Sequence, residues 1–169
     1  TILIHPYLLK QYNNRWYIIA AAGNDKKILT FALDRIDKVT ALPEVKFIPC
    51  EQDLSERFAD IVGITLCEDR PLEHVVFWVS DSSKDYIITK PIHESQKHMK
   101  SNDLDVILKK YPHFKNGDFF SIDCIPNYEL IRELCSYGKE LIVLEPSSIK
   151  DEIFNRISLM LEEYSLARR

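Results

Sequence analysis

The sequence predicts an α+β protein in two parts: a small curled β-sheet or open barrel, then a ferredoxin-like β-α-β-β-α-β sandwich with a terminal helix. Three observations carry this. Up to Leu42, strand-like runs are broken by tight turn signals and show no helical period. From His74 onward, apolar runs alternate with helical patterns. After Pro146, apolar residues recur at three- and four-residue spacing from Ile149 to Tyr164, which is one face of a long helix.

In the front part, Ile2–Tyr12 alternates loosely and stops at Asn13-Asn14, a turn pair. Arg15–Ala22 and Lys27–Leu33 read as two further strands joined by the cluster Gly23-Asn24-Asp25. Ile36–Leu42 is a fourth strand candidate, ended by Pro43. The pattern changes at Glu51, where Asp53-Leu54-Ser55-Glu56-Arg57-Phe58 reads as a short capped helical turn. The expected organisation is a β module over 1–50, a linker over 51–70 and an α/β extension over 71–169.

The extension opens with His74–Ser80, whose run Val75-Val76-Phe77-Trp78-Val79 suits a strand covered on both faces. Asp81-Ser82-Ser83 is expected to cap a short helix ending before Pro91. Ile92–Met99 is a strand candidate, and Lys100–Asn116 reads as an inserted loop with a helical turn near Asp105–Lys110. Phe119–Ile125 is the next strand. Pro126-Asn127 opens a helix over Tyr128–Tyr137 that Gly138 closes, and Glu140–Leu144 is the last strand. Ser148-Ile149-Lys150-Asp151 resembles a capping box. The terminal helix then presents Ile149, Ile153, Ile157, Met160, Leu161 and Tyr164 on one face.

The 169 residues are 46% hydrophobic and 28% charged, enough for real cores under a water-facing surface. No apolar run reaches the length of a membrane span, and no secretory signal is visible, so the expectation is a cytoplasmic protein without membrane contact. The chain starts at Thr1, almost directly in a strand pattern, and reads as a fragment of a longer protein. Cys50, Cys67, Cys124 and Cys135 form no Cys-x-x-Cys pair and read as buried free thiols. Net charge is −4, but residues 1–48 hold seven Lys/Arg against four acids, a surplus of +3 that favours an anionic ligand.

No catalytic constellation emerges. His5, His74, His93, His98 and His113 lack the spacing that puts two metal ligands on one helix face, and no phosphate-cradling glycine loop or nucleophile elbow is present. Ser147-Ser148 sits where serine commonly caps a helix. The chain reads as a non-enzyme without metal or cofactor. What remains are binding groups, each with a plainer reading beside it. Trp16 and Tyr17 are adjacent on a strand and face opposite sides, so they can serve as packing or offer one ring to a ligand. Arg35 beside Asp34 is either half of a closing ion pair or an anion-binding guanidinium. His5 and Tyr7, two apart, share a strand face; next to Arg35 they would form a patch able to stack a base and hold a phosphate.

As a pattern, Arg15-Trp16-Tyr17-Ile18 followed by Thr30-Phe31-Ala32-Leu33-Asp34-Arg35-Ile36 resembles the signature of the WYL domain, a ligand-sensing β module of bacterial transcription regulators. His5-Pro6-Tyr7-Leu8-Leu9 is similar to the strand before that signature. Pro91–Lys97 and Tyr137-Gly138 through Val143-Leu144-Glu145-Pro146 are similar to blocks of the C-terminal extension of such regulators. The resemblance implies an Sm- or SH3-like barrel, here without the strand that usually opens it, and an extension that helps form a homodimer. It implies DNA binding through a helix-turn-helix absent from this chain, biased by a nucleic-acid or nucleotide ligand. Carried over by position, the ligand groups are Trp16, Tyr17 and Arg35, with His5 and Tyr7 as neighbours. Many members have a basic residue where Leu29 stands. Lys27 replaces it only if the hairpin turns that side chain inward. The rival reading is a purely structural dimerisation module in which the signature is barrel packing.

Overall fold

The computed structural model describes residues 1–23, 27–67, 69–100 and 102–168. It is a mixed α+β protein with two antiparallel sheets, one of three strands and one of four. The chain divides into two compact units: Thr1–Ala59 with Gly63–Leu66, and Asp60–Val62 with Cys67–Arg169.

The front unit is built on β1 (Ile4–Tyr12), β2 (Arg15–Ala22) and β3 (Lys27–Ala32), in the order β1-β2-β3. Asn13 and Asn14 both take positive φ, 47° and 61°, which a two-residue hairpin loop needs and which asparagine tolerates. Of the second turn, Asn24 and Asp25 lie outside the described residues. As the middle strand, β2 is covered on both faces, and Ile19, Ala20 and Ala21 are fully buried. A 3₁₀ turn at Leu33–Arg35 ends β3.

The expected strand Ile36–Leu42 does not form. The segment joins no strand ladder, and Val39 is 81% exposed. The 3₁₀ turn deflects it from the β3 edge, and the polar steps Asp37, Lys38 and Thr40 give it no apolar face to bury. The sheet is therefore open, not a closed barrel. The short helix is present as α1 (Leu54–Ala59): Asp53 Oδ1 accepts from the Ser55 and Glu56 amides at 2.8 and 3.3 Å, and Leu54 and Phe58 are buried.

In the second unit, β4 (Glu73–Ser80), β5 (Lys97–His98), β6 (Gly117–Cys124) and β7 (Leu141–Glu145) assemble in the order β5-β6-β4-β7, every neighbour antiparallel. Helices α2 (Lys84–Thr89), α4 (Tyr128–Ser136) and α5 (Ser147–Ala167) supply Ile87, Leu130, Ile131, Leu134 and Ile149 to one face. Val75, Phe77 and Val79 meet them there. The other face of β4, Val76 and Trp78, packs with Ile107 of α3 (Asn102–Lys110) and with Phe114 and Phe119. The unbroken apolar run of β4 thus follows from burial on both sides.

Four local expectations are corrected. Only Lys97–His98 of Ile92–Met99 is strand. Upstream, side chains replace the ladder: Gln96 donates to Ile87 O and accepts from the Ile92 amide, both at 3.0 Å, while the Ser95 hydroxyl bridges the Asp123 amide and carbonyl at 2.8 and 3.0 Å. The helical turn near Asp105–Lys110 is a nine-residue helix, with Ile107 driven inward. Neither serine-led start caps its helix with a side chain. Ser82 is taken by Glu140, and α5 begins two residues earlier than the capping box requires, with Pro146 and not Ser148 at the N-cap. Asn127 does cap α4, its Oδ1 accepting from the Leu130 amide at 2.8 Å while its Nδ2 donates to Val62 O at 2.7 Å.

The cysteines are free, but only Cys124 is buried; Cys50, Cys67 and Cys135 are half-buried. The predicted face of α5 is buried at Ile149 and half-buried at Ile153, then emerges into solvent. Among the described residues, no helix is long and apolar enough to cross a membrane.

Candidate functional site

The hairpin end of the front sheet carries its open feature. A groove of about 500 Å³ is lined by Asn13, Asn14, Arg15, Trp16, Leu33 and Asp34. Strand register makes it. Tyr17 lies opposite Ala32, and one and two steps further the chain brings Leu33 to Trp16 and Asp34 to Arg15. The Arg15 Nε donates to Asp34 Oδ2 at 3.0 Å, with both side chains about half exposed (43% and 51%). Such a pair contributes no more than about 1 kcal/mol in water-screened surroundings. Trp16 is 50% exposed, so a large apolar ring stands beside a guanidinium, a carboxylate and two carboxamides. Chemically, this arrangement can stack a planar ring and hydrogen-bond its edge.

The structure does not gather the five sequence-derived candidates into one site. Trp16 lines the groove. Tyr17, on the opposite face of β2, is half-buried across from Lys10 and Ala32. His5 and Tyr7 share a face, as their spacing requires, but both rings meet Phe47 edge-on at 5.9 and 6.0 Å. His5 is buried, and its Nδ1 accepts from the Ile48 amide at 3.2 Å, which pins the 47–48 segment to β1. Arg35 is exposed and does not line the groove.

The ion pair expected between Asp34 and Arg35 is formed by Asp34 and Arg15. Neighbours in a 3₁₀ turn point about 120° apart, so they cannot face each other. Lys27 pairs across from Ala22 with its side chain exposed.

Residue spacing alone passes over Asn13, Asn14, Arg15 and Leu33 as groove residues. A usable signal exists: counted outward from Ala22 and Lys27, Arg15 and Asp34 are equidistant, as are Trp16 and Leu33.

The second unit has polar clusters of a structural kind. His74 Nδ1 and Asp123 Oδ1 are 2.6 Å apart, and this hydrogen bond holds the Asp123 carboxyl below its ordinary range. Hydrogen bonds from Ser80 and Ser82 do the same for Glu140. Burial pushes the Cys124 thiol up to about 12, which leaves it protonated and unreactive. His93 lies 2.7 Å from the Ser95 hydroxyl, but that hydroxyl is committed to the Asp123 backbone. Among the described residues, no group of His, Cys, Asp and Glu is placed to hold a metal ion.

An open antiparallel β module with a ring-and-amide groove, next to an α/β unit in sequence, is thus the class the structure defines. The family model described as WYL domain matches residues 1–41, which span β1 to β3 and the 3₁₀ turn, so the resemblance seen in the sequence is shown for this segment. The blocks at 91–97 and 137–146 lie outside that match. Among solved structures, the chain is similar to proteasome accessory factor B/C (PafBC) of Arthrobacter aurescens, at 15% identity and a TM-score of 0.40. The similarity covers 93% of this chain, which spans 22% of the length of that one. No curated protein matches.

Proposed function

We propose that this chain is the effector-sensing and dimerisation region of a bacterial transcription regulator. An anionic ligand, a nucleic acid or nucleotide, would bind the front module and bias DNA binding by a helix-turn-helix outside this chain. The observation that carries the reading is that the WYL match over 1–41 coincides with the segment that exposes Trp16 beside polar groups. In this reading 1–50 is the sensing module, with its curled sheet as the Sm- or SH3-like barrel of such modules. Residues 71–169 are then the ferredoxin-like extension, supported by the order β5-β6-β4-β7 with α2 and α4 as the crossing helices. The extension contributes to a homodimer. Ligand binding acts by different affinity for two arrangements of that dimer.

Trp16 supplies the stacking face, and Arg35, exposed and next in the chain to the groove residue Asp34, supplies the cation for phosphate. The test is a titration of labelled single-stranded oligonucleotides and cyclic nucleotides against wild type, Trp16→Ala and Arg35→Ala. Losing one stacked base or one charged contact is expected to weaken binding roughly tenfold or more. Equal affinity in wild type and Arg35→Ala removes Arg35 from the site. No binding by wild type leaves the rival reading, a structural module. The packing of His5 and Tyr7 on Phe47 favours that rival for these two residues.

A further inference from the structure

The terminal helix α5 is 21 residues long, but the second unit uses only its first part. Ile149 is buried and Ile153 packs at the core edge, and Arg156 lies over the Tyr128 ring at 5.3 Å. Phe154, turned away from that contact, and Ile157, Met160, Leu161 and Tyr164 beyond it are 51 to 68% exposed. Ile153, Ile157, Met160 and Tyr164 follow a four-three-four spacing, the a/d seam of a coiled coil.

We propose that this seam pairs with α5 of a second copy of the chain, antiparallel and about a two-fold axis. The sequence is self-complementary in that register alone. Setting Ile157 level with Met160 of the other copy also sets Ile153 level with Tyr164. The flanking positions then pair symmetrically: Phe154 meets Leu161, and Arg156 meets Glu163, each twice. A parallel pairing would leave Arg156 against Leu161. Arg156 is free to make the contact, since stacking on Tyr128 occupies the guanidinium face and leaves its edge for a carboxylate. Glu163 is exposed and lies beyond the part of α5 that the unit covers.

This names the contact surface for the homodimer of the proposed function and rests on that part of it. It does not depend on the ligand. The test is sedimentation equilibrium of the full 169-residue chain. Wild type is expected to dimerise, and Met160→Lys, at an exposed position, to weaken the dimer at least tenfold with an unchanged circular dichroism spectrum. Arg156→Glu and Glu163→Arg should each weaken it by about tenfold, and an equimolar mixture of the two should recover wild-type association, because both cross-pairs are then opposite in charge. A wild-type chain still monomeric at about 100 µM overturns the proposal. So does a dimer indifferent to Met160→Lys, or a mixture no tighter than its components. Loss of the dimer with oligonucleotide binding intact would separate this contact from the sensing function.

Discussion

The two units spend their residues differently. The second builds a core on each face of one sheet; on the larger, Val75, Phe77, Val79, Ile87, Ile122 and Leu130 are fully buried. The front unit encloses far less. Among the described residues its fully buried apolar ones are Ile19 and two alanines, while Trp16, Phe47 and Val39 are half exposed or more. Burial at about 25 cal/mol per Å² makes the second unit the reservoir of stability. The front unit keeps apolar surface in reach of solvent, as a binding surface requires. The region that carries the family signature is therefore the one with the least packing behind it.

The contrast can be broken most directly at Phe77, fully buried and stacked with Phe120 at 5.9 Å. Phe77→Ala is expected to cost about 3–5 kcal/mol. Urea unfolding would measure it, and hydrogen exchange should show the loss of protection concentrated in β4 and β6. A loss under about 1 kcal/mol would mean that the second core is not the reservoir.

A smaller loss is expected at Asn127, which caps α4 and ties it to Val62 O through one buried side chain. Asn127→Ala should cost about 1–3 kcal/mol, and Asn127→Asp, which keeps the capping oxygen but removes the donor, should recover only part of it. Equal stability of the two variants would assign the whole effect to Val62.

The smallest effect is one of pH. The Glu140 carboxyl is held below its ordinary 4.5 by hydrogen bonds from Ser80 and Ser82, so it binds protons more weakly folded than unfolded. Its contribution is fully present above that ordinary value and is lost as pH falls through the folded one. Glu140→Gln should therefore flatten the decline of the urea midpoint below pH 4.5 and leave the slope near neutrality unchanged. An unaltered acid limb would show that the serine contacts do not persist in solution.

Much of the fold was legible in local pattern. The hairpin at Asn13-Asn14, the doubly covered β4 and the Asn127 cap follow from residue type and spacing, because turn chemistry, period and capping act within a few residues. Ile92–Gln96 carries a strand pattern but forms no strand, because nothing in its own sequence reveals that Gln96 and Ser95 satisfy backbone groups on α2 and β6. The candidate site was half legible. Trp16 could be named from the motif, but its companions Arg15, Leu33 and Asp34 are set by the β2–β3 register.

By itself, then, the sequence determined the α+β class, the element types with local signals and the family of the front segment. Each rests on short-range sterics, hydrogen bonding or an ordered motif. Tertiary structure alone decided that Asp34 pairs with Arg15, that His5 is buried against Phe47, that the sheet stays open, and that the outer half of α5 is left uncovered. Those outcomes depend on which distant groups meet, and contact between them is a property of the packed chain and not of any stretch within it.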